Sequence, residues 1–364
     1  MSHRVTDNQA ARAFALARAA ELIADGSTEI GKRARRELAE ETGLSPENVD
    51  LALLFSLEHE ASRATILQLG ARLPSSERSH VLLSANVFVA AYRAILIGIL
   101  QGQTCQVRAS RRAQTMARLL AEGSDGAFEL VQELEVEPGD HVWAYAHDST
   151  LDELRKSLPQ GARLHAHGSG MAAAVLFEPL IEATDEELDQ LACDLTTDII
   201  LFDQRGCLSP RILLLQGSED FARDFQGRLQ RALEDAETQV PRGSLSPEEA
   251  AAEKRYVMTF EYVGGLLHAG QGSVTLDPEP ERLIVPPIGR HLHITRTAAA
   301  LDRLEELGPA LTAVAHHGQP HLPGLLLEAI GERRMVPFGQ LQRPPLDGPV
   351  DLRSGIRPEI IGET

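Results

Sequence analysis

Apolar residues recur at helical spacing over residues 8–70, where alanine, leucine, arginine and glutamate dominate. Ser45-Pro46-Glu47 supplies an N-cap and a first-turn proline for one of these helices. From about residue 80 the pattern changes, and short apolar runs alternate with helical segments. The runs 81–83, 103–107, 141–145, 163–166 and 198–202 read as strands, with helices over 87–100, 110–122 and 150–157. Strands separated by helices of roughly 10–15 residues predict crossover units and a largely parallel sheet. In such sheets ligands sit at the carboxyl ends of the strands. The polar turns Ser84-Ala85-Asn86, Arg108-Ala109-Ser110, Gly168-Ser169-Gly170 and 204–207 are all assigned to that edge.

Beyond residue 207 the pattern restarts, with a strand at 212–215, a helix over 218–237 and a linker over 239–246. Ser246-Pro247-Glu248-Glu249 opens a further helix as a capping box. More strands are expected near 256–262, 283–285, 291–294 and 311–315. From about Pro337 the chain is rich in proline and glycine and is expected to wrap over the surface.

The length of 364 residues allows two or three domains at ~100–200 residues each. Aromatic residues are only 4% of the chain, so aliphatic side chains must build the core. The net charge of −18, from 35 basic and 53 acidic side chains, opposes a nucleic-acid role, since binding phosphates needs a basic field. Three cysteines, Cys105, Cys193 and Cys207, have no short repeated spacing, which argues against a disulfide scaffold and for a reducing compartment. The N-terminus lacks an apolar signal-peptide region, and no run approaches ~20 apolar residues, so a cytoplasmic chain without a membrane span is expected.

Candidate chemistry centres on Asp203-Gln204-Arg205-Gly206-Cys207-Leu208-Ser209-Pro210. The reading is a strand, 198–202, delivering one thiol to a loop, where a thiolate can attack a carbonyl and hold an acyl group. Cys105 and Cys193 read as core residues. Asn86 heads a buried helix, where its side-chain N–H can face an oxyanion or merely cap the helix. Gly168-Ser169-Gly170 admits close approach of a ligand, or is an ordinary tight turn. Arg108, Arg111 and Arg112 gather guanidiniums where a strand turns into a helix; there they oppose the helix dipole unless an anion is bound. The pairs His165/His167, His291/His293 and His316/His317 lack an obvious further ligand, so strand packing is preferred to a metal site.

The order of these motifs resembles the aldehyde dehydrogenase superfamily, and within it the LuxC-type branch, the long-chain acyl-CoA reductases known from bacterial bioluminescence. The resemblance rests on Ser84-Ala-Asn86-Val, the segment 98–110, Ala166-His-Gly168-Ser169-Gly170, the run from Asp198 through Cys207 to Pro210, and Arg334-Met-Val-Pro-Phe-Gly339-Gln-Leu-Gln342-Arg-Pro-Pro345-Leu-Asp347. It implies an α/β fold of aldehyde-dehydrogenase type: two Rossmann-like three-layer domains with mostly parallel sheets behind a helical N-terminal region. The implied divisions are a helical region over 1–80, an NADP-binding domain over 81–204, a catalytic domain over 205–330 and a C-terminal return segment over 331–364. NADPH is the implied reductant and a fatty acyl thioester such as acyl-CoA the implied substrate.

In this scheme Cys207 is the acylated nucleophile, and Asn86 with the Cys207 N–H forms the oxyanion hole. Arg108 stands where the superfamily usually has a lysine touching the adenosine ribose, and Gly168 and Ser169 lie beside the pyrophosphate or nicotinamide. Ser84, Ser110 and Gly170 complete the expected cofactor surface, and charge placement suits Arg108, Arg111 and Arg112 to the 2′-phosphate of NADPH. The superfamily usually oligomerises, which implies a homo-oligomer. Ala85 replaces the usual glycine, and the tail after Asp347 departs from the family pattern. These departures keep open a second reading: a non-catalytic subunit, or one dependent on an acyl-transferring protein partner, that retains the fold and binds acyl groups.

Overall fold

The computed structural model describes residues 5–84, 87–178, 183–318, 322–331, 333–346 and 358–362. Four helices lead the chain: α1 (Asp7–Ala24), α2 (Glu29–Thr42), α3 (Pro46–Phe55) and α4 (Arg63–Arg72). Each begins because a hydroxyl accepts an orphan N–H of the first turn, from Thr6, Thr28, Ser45 and Ser62 respectively.

The first sheet is built from β1 (Ser76–Leu83), β2 (Gly102–Ala109), β3 (Glu129–Leu130), β4 (His141–Tyr145) and β5 (Arg163–His167), with α5 (Ala90–Gln101), α6 (Thr115–Gly123) and α7 (Asp148–Ser157) between them. Its order is β3-β2-β1-β4-β5, and these strands run parallel. The second sheet takes β6 (Met171–Phe177), β7 (Pro210–Gln216), β8 (Leu266–Ala269), β9 (Gly272–Leu276), β10 (His291–Arg296), β11 (Leu311–His316) and β12 (Arg334–Pro337). Around them pack α8 (Asp185–Ile200), α9 (Glu219–Gln239), α10 (Pro247–Val263), α11 (Ala300–Glu306) and α12 (Leu322–Ile330). Its order is β12-β11-β6-β7-β10-β9-β8, parallel except for the β8–β9 pair. A last strand, β13 (Glu359–Ile360), returns to the first sheet and pairs antiparallel with β5. Two mostly parallel sheets behind a helical N-terminal region are the architecture expected from sequence. The sheets change over between His167 and Met171, and residue 204 lies beyond α8.

Register assigns the two faces of the first sheet. Leu82 is in register with Arg108 and Ala144, and Ala144 with Ala166, so these share the face that α7 covers. Val81, Leu83, Trp143 and Tyr145 share the opposite face, packed with α5 and the N-terminal helices.

Three expected strands are not strands. The segment 198–202 is the end of α8 and the turn after it; the capping box of Thr184 and Glu187 starts the helix, and Leu188, Ala192, Leu195 and Ile199 form its buried stripe. The segment 256–262 continues α10, because only Tyr256 and Phe260 are buried and they stand one helical turn apart. Residues 283–285 are irregular, with Val285 exposed. Conversely, β6 lacks alternation because all its residues are buried, so its alanine-rich run gives no strand signal.

After α8, Phe202, Asp203 and Gln204 adopt φ of 56°, 48° and 64°. Each such residue costs roughly 1–2 kcal/mol in the left-handed region. Buried polar contacts hold them there. Asn48 accepts the Phe202 N–H at 3.1 Å and donates to the Ile200 carbonyl at 2.8 Å. Asp203, fully buried, accepts from Arg290 Nε at 2.8 Å and from the Gly243 N–H at 2.9 Å. Gln204 accepts the His291 N–H at 2.8 Å and donates to the carbonyls of His291 and Pro210 at 2.9 Å.

A second set of contacts ties down residues 338–346. Asp198 accepts the N–H groups of Gly339 and Leu341 at 2.8 and 2.9 Å. Arg93, paired with Glu58, donates to the carbonyls of Pro345 and Leu346 at 2.6 and 3.1 Å. Burial pushes the Asp198 carboxyl up to about 7, against the pull of Arg334 and of the N–H groups of this 338–346 strap.

Asp203→Ala should destabilise the protein by about 3 kcal/mol, the low end for a broken buried pair, because it removes one of the two carboxylates that compensate the buried Arg290, the other being Glu237 at 2.9 Å; a loss of unfolding free energy under about 1 kcal/mol would contradict the role. Because folding raises the Asp198 pKa, its protonated form is favoured in the folded state. Its contribution is therefore full at acidic pH and is lost as pH rises through about 7. Urea midpoints measured at several pH values from mildly acidic to mildly alkaline should fall more steeply for the wild type than for Asp198→Asn.

Candidate functional site

Cys207 sits at the amino edge of the second sheet, directly before β7, rather than at the carboxyl end of a strand. The left-handed turn makes this placement: it ends the helix and reverses the chain, and the Ser209 N–H then closes on the Gly206 carbonyl at 3.2 Å. The thiol-bearing residue is half-buried. From below, Thr312 of β11 donates its hydroxyl to the Cys207 carbonyl at 2.6 Å. From the strap, Gln342 donates to the Ser209 hydroxyl at 2.9 Å, with both side chains buried.

Register brings the glycine turn to the same place. Ala172 pairs with Pro210, and its N–H bonds the Ser209 carbonyl at 3.2 Å. Residues 168–170 leave the carboxyl edge of the first sheet and enter the amino edge of the second alongside Cys207. A Cβ at Gly168 would stand 2.2 Å from Asp148 Oδ1, and the same oxygen accepts the Ser169 N–H at 3.0 Å. The turn is thus seated on the first turn of α7, and a side chain at 168 would have to displace the Asp148 carboxylate that holds it.

The loop after β1 completes the meeting. A Cβ at Gly206 would lie 3.0 Å from Val87 Cγ2, and Phe88 meets the ring of Phe202 edge-on at 5.6 Å. Asn86 and Ala85 lie outside the described residues, while their neighbours Ser84 and Val87 both line the cleft at this edge. The structure therefore gathers Cys207, the residues flanking Asn86, and Gly168, Ser169 and Gly170 at one seam between the sheets.

The arginine turn is held beside the same edge, where the Ser110 N–H donates to the Leu83 carbonyl at 3.2 Å. Its helix starts later than expected, at Thr115. The N–H groups of Gln114 and Thr115 are already capped by Glu41 of α2, at 2.8 and 3.1 Å. The conflict expected between the arginines and the helix dipole is therefore answered by a carboxylate of the chain itself. Arg108, Arg111 and Arg112 remain exposed, and none of them is in an ion pair among the described residues.

The cleft lies on the α5 face of the first sheet, lined by Leu83, Val87, Phe88, Ala91, Met116 and Tyr145, with Glu41 and Ser84 at its polar margin. The histidines pack. His165 stacks on Trp143 at 3.8 Å and His167 on Tyr145 at 4.5 Å, while His291 bonds Ser273 and Glu253 at 2.8 and 3.2 Å. Burial pushes His141 and His293 down to about 4, so both are neutral at pH 7. Burial pushes the Cys105 thiol up to about 12, which leaves it unreactive at neutral pH. Cys193 is exposed on α8, contrary to the core placement expected for it.

Sequence reasoning missed Glu41, Thr312 and the scaffold role of Asp203 and Gln204. Thr312 carries a faint signal, a hydroxyl residue in the buried and otherwise apolar run 311–315. Glu41 carries none, since one glutamate on a charged helix resembles its neighbours.

The family model described as acyl-CoA reductase (LuxC) matches residues 68–306, well over half of the chain. No curated protein sequence matches it. Among solved structures, a putative methylmalonate-semialdehyde dehydrogenase from Sinorhizobium meliloti complexed with NAD has TM-score 0.69 and 14% identity, covering 97% of this chain and 81% of that one. An NAD-dependent aldehyde dehydrogenase from the same organism has TM-score 0.64 and 16% identity, with 90% and 74% coverage. The NADP-dependent glyceraldehyde-3-phosphate dehydrogenase of Bacillus halodurans complexed with NADP has TM-score 0.63 and 14% identity, with 89% and 77% coverage. At these identities the structural likeness establishes the aldehyde dehydrogenase fold, and the family match establishes the lineage: the chain belongs to the LuxC acyl-CoA reductase family.

Proposed function

We propose that this chain reduces a fatty acyl thioester to the aldehyde through an acyl-enzyme on Cys207, with NADPH as reductant. The observation that carries the reading is the convergence of the Cys207 loop, the loop after β1 and the Gly168 turn at one seam.

The cofactor fits the α7 face. Arg108 shares that face, and the three exposed arginines are without ion pairs among the described residues, in a chain of net charge −18, as a phosphate-bearing ligand would favour. Ser84, Arg108, Ser110, Arg111, Arg112, Gly168, Ser169 and Gly170 would hold it. When bound, the nicotinamide supplies a hydride to the acyl carbon.

The remaining steps belong to the chain. The Cys207 thiolate attacks the thioester carbonyl, the bond to the CoA sulfur breaks, and CoA leaves as a thiolate. Asn86 and the Cys207 N–H stabilise the oxyanion of each tetrahedral intermediate. After hydride delivery the thiohemiacetal collapses, its carbon–sulfur bond breaks and the Cys207 thiolate is restored. No water is activated, so no general base is needed for deacylation. Thr312 and Gln342 keep the loop in place throughout.

Intact-mass measurement after mixing with a fatty acyl-CoA should reveal one acyl adduct on wild type and none on Cys207→Ser. The absence of both an adduct and NADPH oxidation across chain lengths would favour a non-catalytic acyl-binding subunit. Asn86→Ala should slow acylation by about 10²–10³-fold, the usual loss for one oxyanion donor, and leave NADPH affinity within a factor of about two; a change in affinity alone would remove Asn86 from the oxyanion role. Replacing Arg111 and Arg112 by alanine should weaken NADPH binding by about tenfold or more, worth about 1.4 kcal/mol, and NADH much less. Equal losses would refute a 2′-phosphate contact.

A further inference from the structure

Helix α10 is fixed on its inner side and bare on its outer side. Tyr256 and Phe260 are buried against His291 and His293 of β10, the Tyr256 hydroxyl bonds Thr275 of β9, and Glu249 in the first turn pairs with Arg205 at 3.2 Å. Outward, Ala251, Lys254, Arg255, Met258, Glu261 and Tyr262 are all exposed, Met258 at 56% and Tyr262 at 92%. At about 100° per residue these six positions form one stripe, reaching about 60° to either side of Met258. Lys254 and Arg255 are in no ion pair among the described residues, and Glu261 is approached there by His268 at 3.9 Å. One exposed apolar residue needs no explanation, but a methionine and a tyrosine one turn apart, flanked by charges of both signs on a rigid helix, have the composition of a contact surface.

We propose that this stripe is the two-fold interface of a homodimer, in which α10 of one copy packs antiparallel on α10 of a second copy across Met258. The stripe is complementary to itself. Its positive charges, Lys254 and Arg255, lie about one turn before Met258, and Glu261 and Tyr262 lie about one turn after it. A two-fold axis at Met258 reverses the second helix and keeps each edge of the stripe on its own side. By helical spacing Lys254 and Glu261 occupy one edge, and Arg255 and Tyr262 the other. Lys254 of each copy therefore meets Glu261 of the other, and Arg255 of each meets the Tyr262 ring of the other, around a centre made by the two Met258 side chains. A parallel arrangement would set Lys254 against Lys254 and Glu261 against Glu261. A partner with one sign of charge would oppose one end of the stripe, whereas a second copy satisfies both. The area available on one helix face is at the small end for specific contacts, so monomer and dimer should exchange in the micromolar range. This assignment is independent of the acyl-thioester reading, and it names a face, where the family resemblance implied only an oligomer.

The test is sedimentation velocity of the full chain from low to high micromolar concentration. With rising concentration the wild type should approach twice the mass of Met258→Asp, which places two carboxylates at the centre of the contact. Lys254→Glu and Glu261→Lys should each weaken association by about tenfold or more, because each sets like charges together. The double variant carrying both changes exchanges the charges and restores their pairing, so its association should return to within about threefold of wild type. All of these positions are exposed, so the substitutions spare the core, and Tyr262→Ala makes a second test of the centre should Met258→Asp fold poorly. Equal masses for wild type and Met258→Asp at every concentration would overturn the interface. Single variants that weaken association without recovery in the double variant would overturn the antiparallel pairing of Lys254 with Glu261. Association unchanged in every variant would assign self-contact to another face and overturn the proposal as well.

Discussion

The buried pair of Asp203 and Arg290 is the interaction on which the site depends. Three consecutive non-glycine residues in left-handed conformation are unstable alone. They persist because Asp203, Asn48 and Gln204 tie the turn to α3, the 240s linker and β10 together. The gain is geometric. The turn stops α8, reverses the chain and presents Cys207 before β7, where an ordinary helix end would carry the thiol elsewhere. Strain held by a surrounding network is a familiar way of fixing a functional group.

A second constraint acts between the sheets. The carboxyl edge of the first sheet and the amino edge of the second face one seam, and residues 168–170 are the short link between them. The strap over 338–346 bolts the same seam from the far end of the chain, through Asp198 on one side and Arg93 on the other. Both bolts use buried charge, which makes the geometry specific more than it adds net stability.

Much of this was legible in the pattern of the chain. β4, β5, β7 and β10, the capping boxes and the alternation that implies a parallel sheet follow from local rules that the folded state obeys. The residues at the seam were legible as a set because a motif order carried them. Two of the failures share one cause. Residues 198–202 and 256–262 are rich in aromatic and β-branched side chains, and their true state is decided by which positions are buried, information that only tertiary packing supplies. The left-handed turn could not be read at all, since no glycine marks it, and Glu41 reaches the cleft from a helix whose charge pattern looks purely solvated.

Cys207 is anchored by residues that come much later in the chain: Arg290 through Asp203, then Thr312, then Gln342. A chain emerging from the ribosome displays the thiol well before any of these partners exists. During that interval it lies on a loop whose anchoring hydrogen bonds have not yet formed. Chain order thus separates the making of this loop from its fixing, and the conformation around Cys207 is set only when residues as late as Gln342 have joined the fold.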